Sequence, residues 1–146
     1  MKIGFTGTRR GLSPTQHNRL AEYLKSCTPI EEAHHGSCIG ADEAFHHIIA
    51  SNHPGTLLYI HPPRSREYIA DLTGNYKHPP LGYIARNHNI VDATDLLVAC
   101  PSDVESVRSG TWATVRYARS LKRPHILVWP DGNLVSKDYR KELTKD

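Results

Sequence analysis

The residues best suited to chemistry fall in three Gly-, Ser- and Thr-rich stretches: Thr6-Gly7-Thr8-Arg9, Gly36-Ser37-Cys38-Ile39-Gly40-Ala41-Asp42 and Ser109-Gly110-Thr111. Glycine lets a ligand come close to the backbone, and hydroxyls and free N–H groups donate to anionic oxygens. A helix that starts there adds the positive end of its dipole. Such a cradle, with Arg9 and Arg86 as cations, suits phosphates and ribose hydroxyls. Taken alone, Ser109-Gly110-Thr111 reads as an ordinary capped helix start, because Ser and Thr are good N-caps. Three loops of this kind that converge carry more weight than one. None is a standard nucleotide fingerprint: the first lacks GxGxxG, and no Lys follows Gly40 as a P-loop requires.

Single residues in these loops each have two readings. Asp42, early in a helix, either accepts from a ribose hydroxyl or caps the helix. Arg86, followed by Asn87, either forks onto a phosphate or pairs with Asp92 or Asp95 at the surface. Trp112 either stacks on a base or packs in the core. Cys38 sits at a helix start, which favours a thiolate, but no His/Asp constellation accompanies it and a small loop residue is the simpler role. His34-His35 and His46-His47 lack HExxH spacing, and neighbours on a strand point to opposite faces. They read as surface or partly buried histidines, and no metal or cofactor is expected.

The elements that must position these loops alternate. Ile3 to Thr6, Ile30 to His35, Thr56 to Ile60, Leu96 to Cys100 and His125 to Trp129 read as strands. Leu96 to Cys100 is apolar on both faces, as in the middle of a parallel sheet. Ser13-Pro14-Thr15-Gln16 announces a helix with a capping box and Pro in the first turn, stopped by Pro29. Further helices are expected from Ala41 to about Asn52, Tyr83 to Thr94 and Thr111 to Leu121, with a short one near Arg66 to Leu72. The pattern predicts an α/β, Rossmann-like open parallel sheet of about five strands with helices on both faces. Ligands then bind outside the carboxyl ends of the strands. Residues 1–132 form the domain, with 61–82 an irregular insertion or lid. Residues 133–146 read as a polar tail with a short terminal helix from Lys137.

The 146 residues are enough for one domain with a real core. The formal charge is +3, and acidic Asp138, Glu142 and Asp146 interrupt the late basic residues Arg116, Arg119, Lys122, Arg123, Lys137, Arg140, Lys141 and Lys145. This is a solvated surface rather than a nucleic-acid arm. No apolar run approaches the roughly 20 residues that span a bilayer. Three cysteines without CxxC suggest neither a disulfide framework nor a zinc cage, and fit a reducing cytoplasm.

Four motifs together resemble the SLOG superfamily: Gly4-Phe5-Thr6-Gly7-Thr8-Arg9, His35-Gly36-Ser37-Cys38-Ile39-Gly40-Ala41-Asp42, Arg86-Asn87 through Asp95, and Arg108-Ser109-Gly110-Thr111-Trp112-Ala113-Thr114. That superfamily groups the Smf/DNA-processing-protein-A Rossmann domain with the LOG (Lonely Guy) phosphoribohydrolases, and the likeness is to small stand-alone bacterial and phage types. It spans roughly Met1 to Gly132. It implies a Rossmann-like domain that binds nucleotide-derived molecules. In relatives linked to bacterial immunity these are NAD-derived or ADP-ribose-like signals, and dimers or tetramers are common. LOG enzymes carry PGGxGTxxE, whose Glu takes part in cleaving the N-glycosidic bond. Here Thr114 occupies that position, and a hydroxyl does not stabilise an oxocarbenium-like centre as a carboxylate does.

The expected ligand shell is therefore Thr6, Gly7, Thr8, Arg9, Gly36, Ser37, Cys38, Gly40, Ala41, Asp42, Arg86, Asn87, Pro101, Ser109, Gly110, Thr111 and Thr114. Asp42 and Glu43 are the acid residues if the site is catalytic. The expected function is capture of a phosphorylated nucleoside, of the ADP-ribose or cyclic ADP-ribose type, by a sensor or a phage sponge in the (host) cytoplasm. The alternatives are a nucleotide N-glycosidase or deoxyribosyltransferase-like enzyme and a single-stranded DNA-binding module.

Overall fold

Capped helices and apolar strands alternate in the computed structural model, which describes residues 1–27 and 29–139. In chain order they are β1 (Lys2–Gly7), α1 (Pro14–Ser26), β2 (Glu32–His35), α2 (Ala41–Asn52), β3 (Leu57–Ile60), β4 (Tyr76–Lys77), α3 (Tyr83–Asp92), β5 (Leu96–Cys100), α4 (Gly110–Ser120), β6 (His125–Val128) and β7 (Leu134–Lys137). The expected capping box forms at α1: Ser13 Oγ accepts from the Gln16 amide at 3.0 Å, and Gln16 Oε1 from the Ser13 amide at 3.3 Å. Buried Gln16 then donates through Nε2 to the carbonyls of Pro101 and Val128, at 2.9 and 2.8 Å. One side chain thus starts a helix and ties it to the ends of two strands.

Among the described residues the sheet has seven strands, in the order β4-β3-β2-β1-β5-β6-β7, parallel except for β7. The α/β, Rossmann-like expectation holds, and the count of about five strands is corrected by the two edges. β4 has two exposed residues between irregular segments, and β7 is mostly exposed. Edge strands need no apolar run, which leaves such segments without a strand signature. The turn at Pro130-Asp131-Gly132 closes a hairpin: Gly132 donates to the Trp129 carbonyl and Trp129 to that of Asn133, both at 2.9 Å. Lys137 therefore ends a strand instead of starting a helix, and residues 140–146 of the expected tail lie outside the described residues.

No helix forms near Arg66 to Leu72. Its backbone bonds go to the loop before α2: Ala70 donates to the Ser37 carbonyl at 2.8 Å, and Ile39 donates to that of Tyr68 at 2.9 Å. α3 and α4 each end before the expected residue, at Asp92 and Ser120.

Alternate residues of the central strands feed two cores. Ile3, Phe5, Val98 and Cys100 pack with Leu20, Leu24, Phe45 and Ile49 of α1 and α2. Leu97 and Ala99 pack with Val91, Trp112, Val115 and Ala118 of α3 and α4. Trp112 is thus a core residue, its indole N–H donating to the Asp103 carbonyl at 3.0 Å. The chain winds outward from β1 through β4, then returns to place β5 on the other side of β1. That reversal opens a crevice at the carboxyl ends of β1 and β5. No helix among the described residues is long and apolar enough to cross a membrane.

Candidate functional site

A cleft of about 700 Å³ lies at that crevice. Its walls are the end of β1 and the turn after it (Phe5 to Arg10), the start of the β2–α2 loop (Gly36, Cys38, with Asp42 behind), the inner side of α3 (Tyr83, Arg86, Asn87, Ile90), the loop after β5 (Ser102 to Val104, Ser106, Arg108), and the start of α4 (Ser109 to Trp112). Of the sequence-predicted residues, the fold brings Thr6, Gly7, Thr8, Arg9, Gly36, Cys38, Asp42, Arg86, Asn87, Ser109, Gly110 and Thr111 to this one space.

The remaining predicted residues stand outside it, each with a structural task. Ser37 donates its hydroxyl to the Ala70 carbonyl at 3.0 Å. Glu43 accepts from the Gly40 amide at 2.9 Å. Ala41 donates its amide to the Thr8 carbonyl at 3.0 Å. Gly40 has φ +94°, and a Cβ there would lie 2.4 Å from the Arg9 carbonyl oxygen, so only glycine lets the two loops touch. Pro101 receives Gln16. Thr114 is buried and donates its hydroxyl proton to the Gly110 carbonyl at 2.9 Å.

These bonds separate the two helix starts. The start of α2 is occupied by the chain itself: the Thr8 carbonyl and the Glu43 carboxylate take the amides of Ala41 and Gly40. Asp42 Oδ2 takes that of Cys38 at 3.0 Å. The amides of Ser37, Cys38, Ile39, Gly40 and Ala41 are thus taken within the fold, and two carboxylates sit in the first turn of α2, which leaves the second loop poorer in free donors for an anion than the start of α4. The start of α4 is open. Ser109 Oγ accepts from the Trp112 amide at 3.2 Å, and the Ser109 carbonyl takes the Ala113 amide at 2.9 Å. Among the described residues the Gly110 and Thr111 amides have no acceptor in the fold, as the first turn of a helix leaves them.

Arg86 is buried rather than paired at the surface. Its Nη1 donates to the Gly36 carbonyl at 2.9 Å and to that of His61 at 3.2 Å, and its Nε to Asn87 Oδ1 at 2.7 Å. A Cβ on Gly36 would lie 2.1 Å from Nη1. The guanidinium therefore clamps the ends of two strands, which limits the bidentate phosphate contact expected of it. Asp42 is buried beside it, and burial pushes its carboxyl up to about 6, against the pull of the Cys38 amide and the Arg86 charge. Burial likewise pushes the Cys38 thiol up, with the Asp42 charge adding to it, which argues against a reactive thiolate.

Reading the loops one at a time missed Arg10, Tyr83 and the 102–108 loop. Arg10 directly follows the first motif and Arg108 opens the fourth, which is the signal in the sequence that points to them. Arg9 lies over the Tyr68 ring, 3.9 Å from its centroid, so the irregular 61–82 segment supports a cleft cation. Arg116 donates to Glu105 and to the carbonyls of Ser106 and Val107, strapping the 102–108 loop to α4.

Solved structures share this architecture. DNA processing protein A from Helicobacter pylori, described for its single-stranded DNA binding mode, superposes with a TM-score of 0.60 at 18% identity over 98% of this chain and 71% of that one. The chain shares the Rossmann-like α/β fold of that protein. The same fold recurs in the molybdenum cofactor binding protein from the phototrophic bacterium Rippkaea orientalis (TM-score 0.66, 21% identity, 88% of this chain and 76% of that one). It recurs again in the structural-genomics target TM1055 (TM-score 0.64, 15% identity, 99% and 81%). No family model matches the sequence, and no curated protein matches it. Three neighbours at these identities show the shared α/β fold alone.

Proposed function

We propose that the cleft binds a phosphorylated nucleoside derivative, of the ADP-ribose or cyclic ADP-ribose type, and retains it without turnover. The observation that carries this reading is the pair of free amides at the start of α4, opening into a space that Arg9, Arg10 and Arg108 also line. Free N–H groups and the helix dipole favour a phosphate there, and several arginines favour more than one. The volume, about 700 Å³, suits a ligand larger than a mononucleotide. Retention of such a molecule serves a sensor of a nucleotide signal or a sponge that sequesters one. A cytoplasmic setting and a dimer or tetramer go with this reading, by the resemblance of the sequence. Thermal-shift titration with AMP, ADP-ribose and cyclic ADP-ribose isomers tests it. At a ligand concentration of about 100 Kd the gain is roughly 2.7 kcal/mol, and no upward shift with any of them would remove this ligand class.

One observation favours a second reading. Asp42 lines the cleft as a buried carboxyl raised to about 6, able to give or take a proton near neutrality. That is the property a nucleotide N-glycosidase needs in its acid. The chromatographic prediction is no base release when nucleoside monophosphates are incubated with the protein. Release that disappears in Asp42→Asn would establish the enzyme instead.

A DNA-binding module would use the basic Arg116-Arg119-Lys122-Arg123 face. Arg116 and Arg119 there hold Glu105, and Arg123 donates to the Thr94 carbonyl. That face supports a nucleic-acid partner less than its composition suggests.

A further inference from the structure

Two histidine pairs flank β2 on opposite faces, directly before the cleft loop. On one face His34 Nδ1 lies 2.8 Å from His61 Nε2, and His34 Nε2 lies 2.9 Å from Glu32 Oε1. On the other, His35 Nε2 lies 2.9 Å from His46 Nδ1, and His35 Nδ1 accepts from the Ser37 amide at 3.0 Å. The last bond fixes the protons. An amide only donates, so His35 Nδ1 is bare and its proton sits on Nε2. His35 then donates to His46 Nδ1, which must be bare as well. Both rings are neutral.

Ser37 is where the cleft loop turns. It adopts the left-handed region at φ 56°, without being glycine. The bond from its amide to His35 holds that turn, and the residues on either side, Gly36 and Cys38, line the cleft. We infer that His46 and His35 form a proton-operated latch: a proton entering at His46 withdraws the acceptor from the Ser37 amide and loosens the turn at Ser37, whose carbonyl and hydroxyl stay tied to Ala70. A proton on His46 Nδ1 faces the His35 Nε2–H, two donors in opposition. His35 relieves this by carrying its proton on Nδ1 instead, where it opposes the Ser37 N–H. His46 is the point of entry because His35 is fully enclosed, while His46 retains slight exposure beside exposed His47. The functional consequence, weaker retention of an anionic ligand in acid, rests on the proposed role of the cleft. The latch itself does not.

The charged and titratable groups around the pair are His47 and Asp42 on α2, His34 on β2, His61 with His78 stacked on it at 4.1 Å, and Arg86 on α3. Burial holds His35 well below its ordinary 6.5, with the His46 charge next, and burial holds His46 below 6.5 too. Groups lowered in the closed state stabilise it fully above 6.5, and this is lost as pH falls below that value. Asp42 runs the other way. Raised from 3.8 to about 6, it favours the closed state as pH falls through that interval. The His34–His61 pair has the sign of the latch, with His61 pushed by burial to about 3, but it holds no amide of the cleft loop.

Amide hydrogen exchange of Ser37 in the unliganded full chain, corrected for intrinsic rates, tests the latch. Between about pH 7.5 and about pH 5, protection is expected to fall by up to roughly thirty-fold, the limit for one histidine that takes its proton at the ordinary 6.5 in the open loop and stays neutral in the closed one. His46→Gln offers an acceptor to His35 but takes no proton, and should hold its protection at about pH 5. His34→Gln and Asp42→Asn should retain the fall. Ser37 protection that is unchanged in acid, or a fall that persists in His46→Gln, would overturn the latch. Nitrogen-15 spectra give a second measure on the wild-type chain: His35 should carry Nε2–H at about pH 7.5, and finding Nδ1–H there refutes the proposal even if a variant fails to fold. A chain that binds no ADP-ribose yet shows this exchange pattern loses the cleft reading and keeps the latch.

Discussion

Arg86→Met is expected to lower folding stability by about 3 kcal/mol, a fall in Tm of about 10 °C for a domain of this size. Methionine fills much of the same volume, so the effect isolates the polar contacts from a cavity. The Gly36 and His61 carbonyls both lose the donor that Nη1 supplies, at 2.9 and 3.2 Å, and both residues are buried. A buried acceptor left unpaired costs about 1–3 kcal/mol. The clamped atoms follow β2 and β3 directly, so the loss also loosens one wall of the cleft. Asp42 loses the nearby positive charge that restrains its carboxyl and should titrate higher still than about 6. Urea denaturation monitored by circular dichroism checks the first effect. A loss under about 1 kcal/mol would mean that the guanidinium does not hold these strand ends.

Gly110→Asp is the prediction with the largest effect on binding. Gly110 is the first residue of α4, and a Cβ there meets no atom within 4 Å, so the side chain fits without strain. A carboxylate at the positive end of the dipole should raise folding stability by about 0.3–1 kcal/mol. It also competes for the free Gly110 and Thr111 amides and repels a ligand phosphate. Affinity for ADP-ribose should fall at least about 100-fold, or roughly 2.7 kcal/mol. Damage to the fold lowers stability and affinity together. A variant that gains one and loses the other locates the phosphate at this helix start.

What the sequence discloses follows the physics of burial. The two-sided apolar run Leu96–Cys100 can only be a central strand, and it is. Ser13 and Gln16 announce a capping box that forms. The glycines at Gly7, Gly36 and Gly110 mark strand-to-helix connections that meet at one edge. β4 and β7 escape notice because edge strands need neither apolar residues nor alternation. The sequence predicts surface or partly buried histidines. His34, His35 and His46 are buried, because each finds a second histidine as a hydrogen-bond partner across elements distant in sequence. The opposite-face expectation for His34 and His35 does hold. The open α4 start and the closed α2 start look alike as strings of Gly, Ser and Thr. They differ because the Thr8 carbonyl and the Glu43 carboxylate reach one and not the other.

The decisive measurement is isothermal titration calorimetry of ADP-ribose into the wild-type chain and Gly110→Asp, side by side at about 0.15 M salt, where surface charge is largely screened. The cleft reading predicts saturable binding at one site per chain in the wild type. It predicts an affinity at least about 100-fold weaker in a variant whose Tm is equal or higher. No heat of binding to the wild type, or equal affinity in the two proteins, would contradict it.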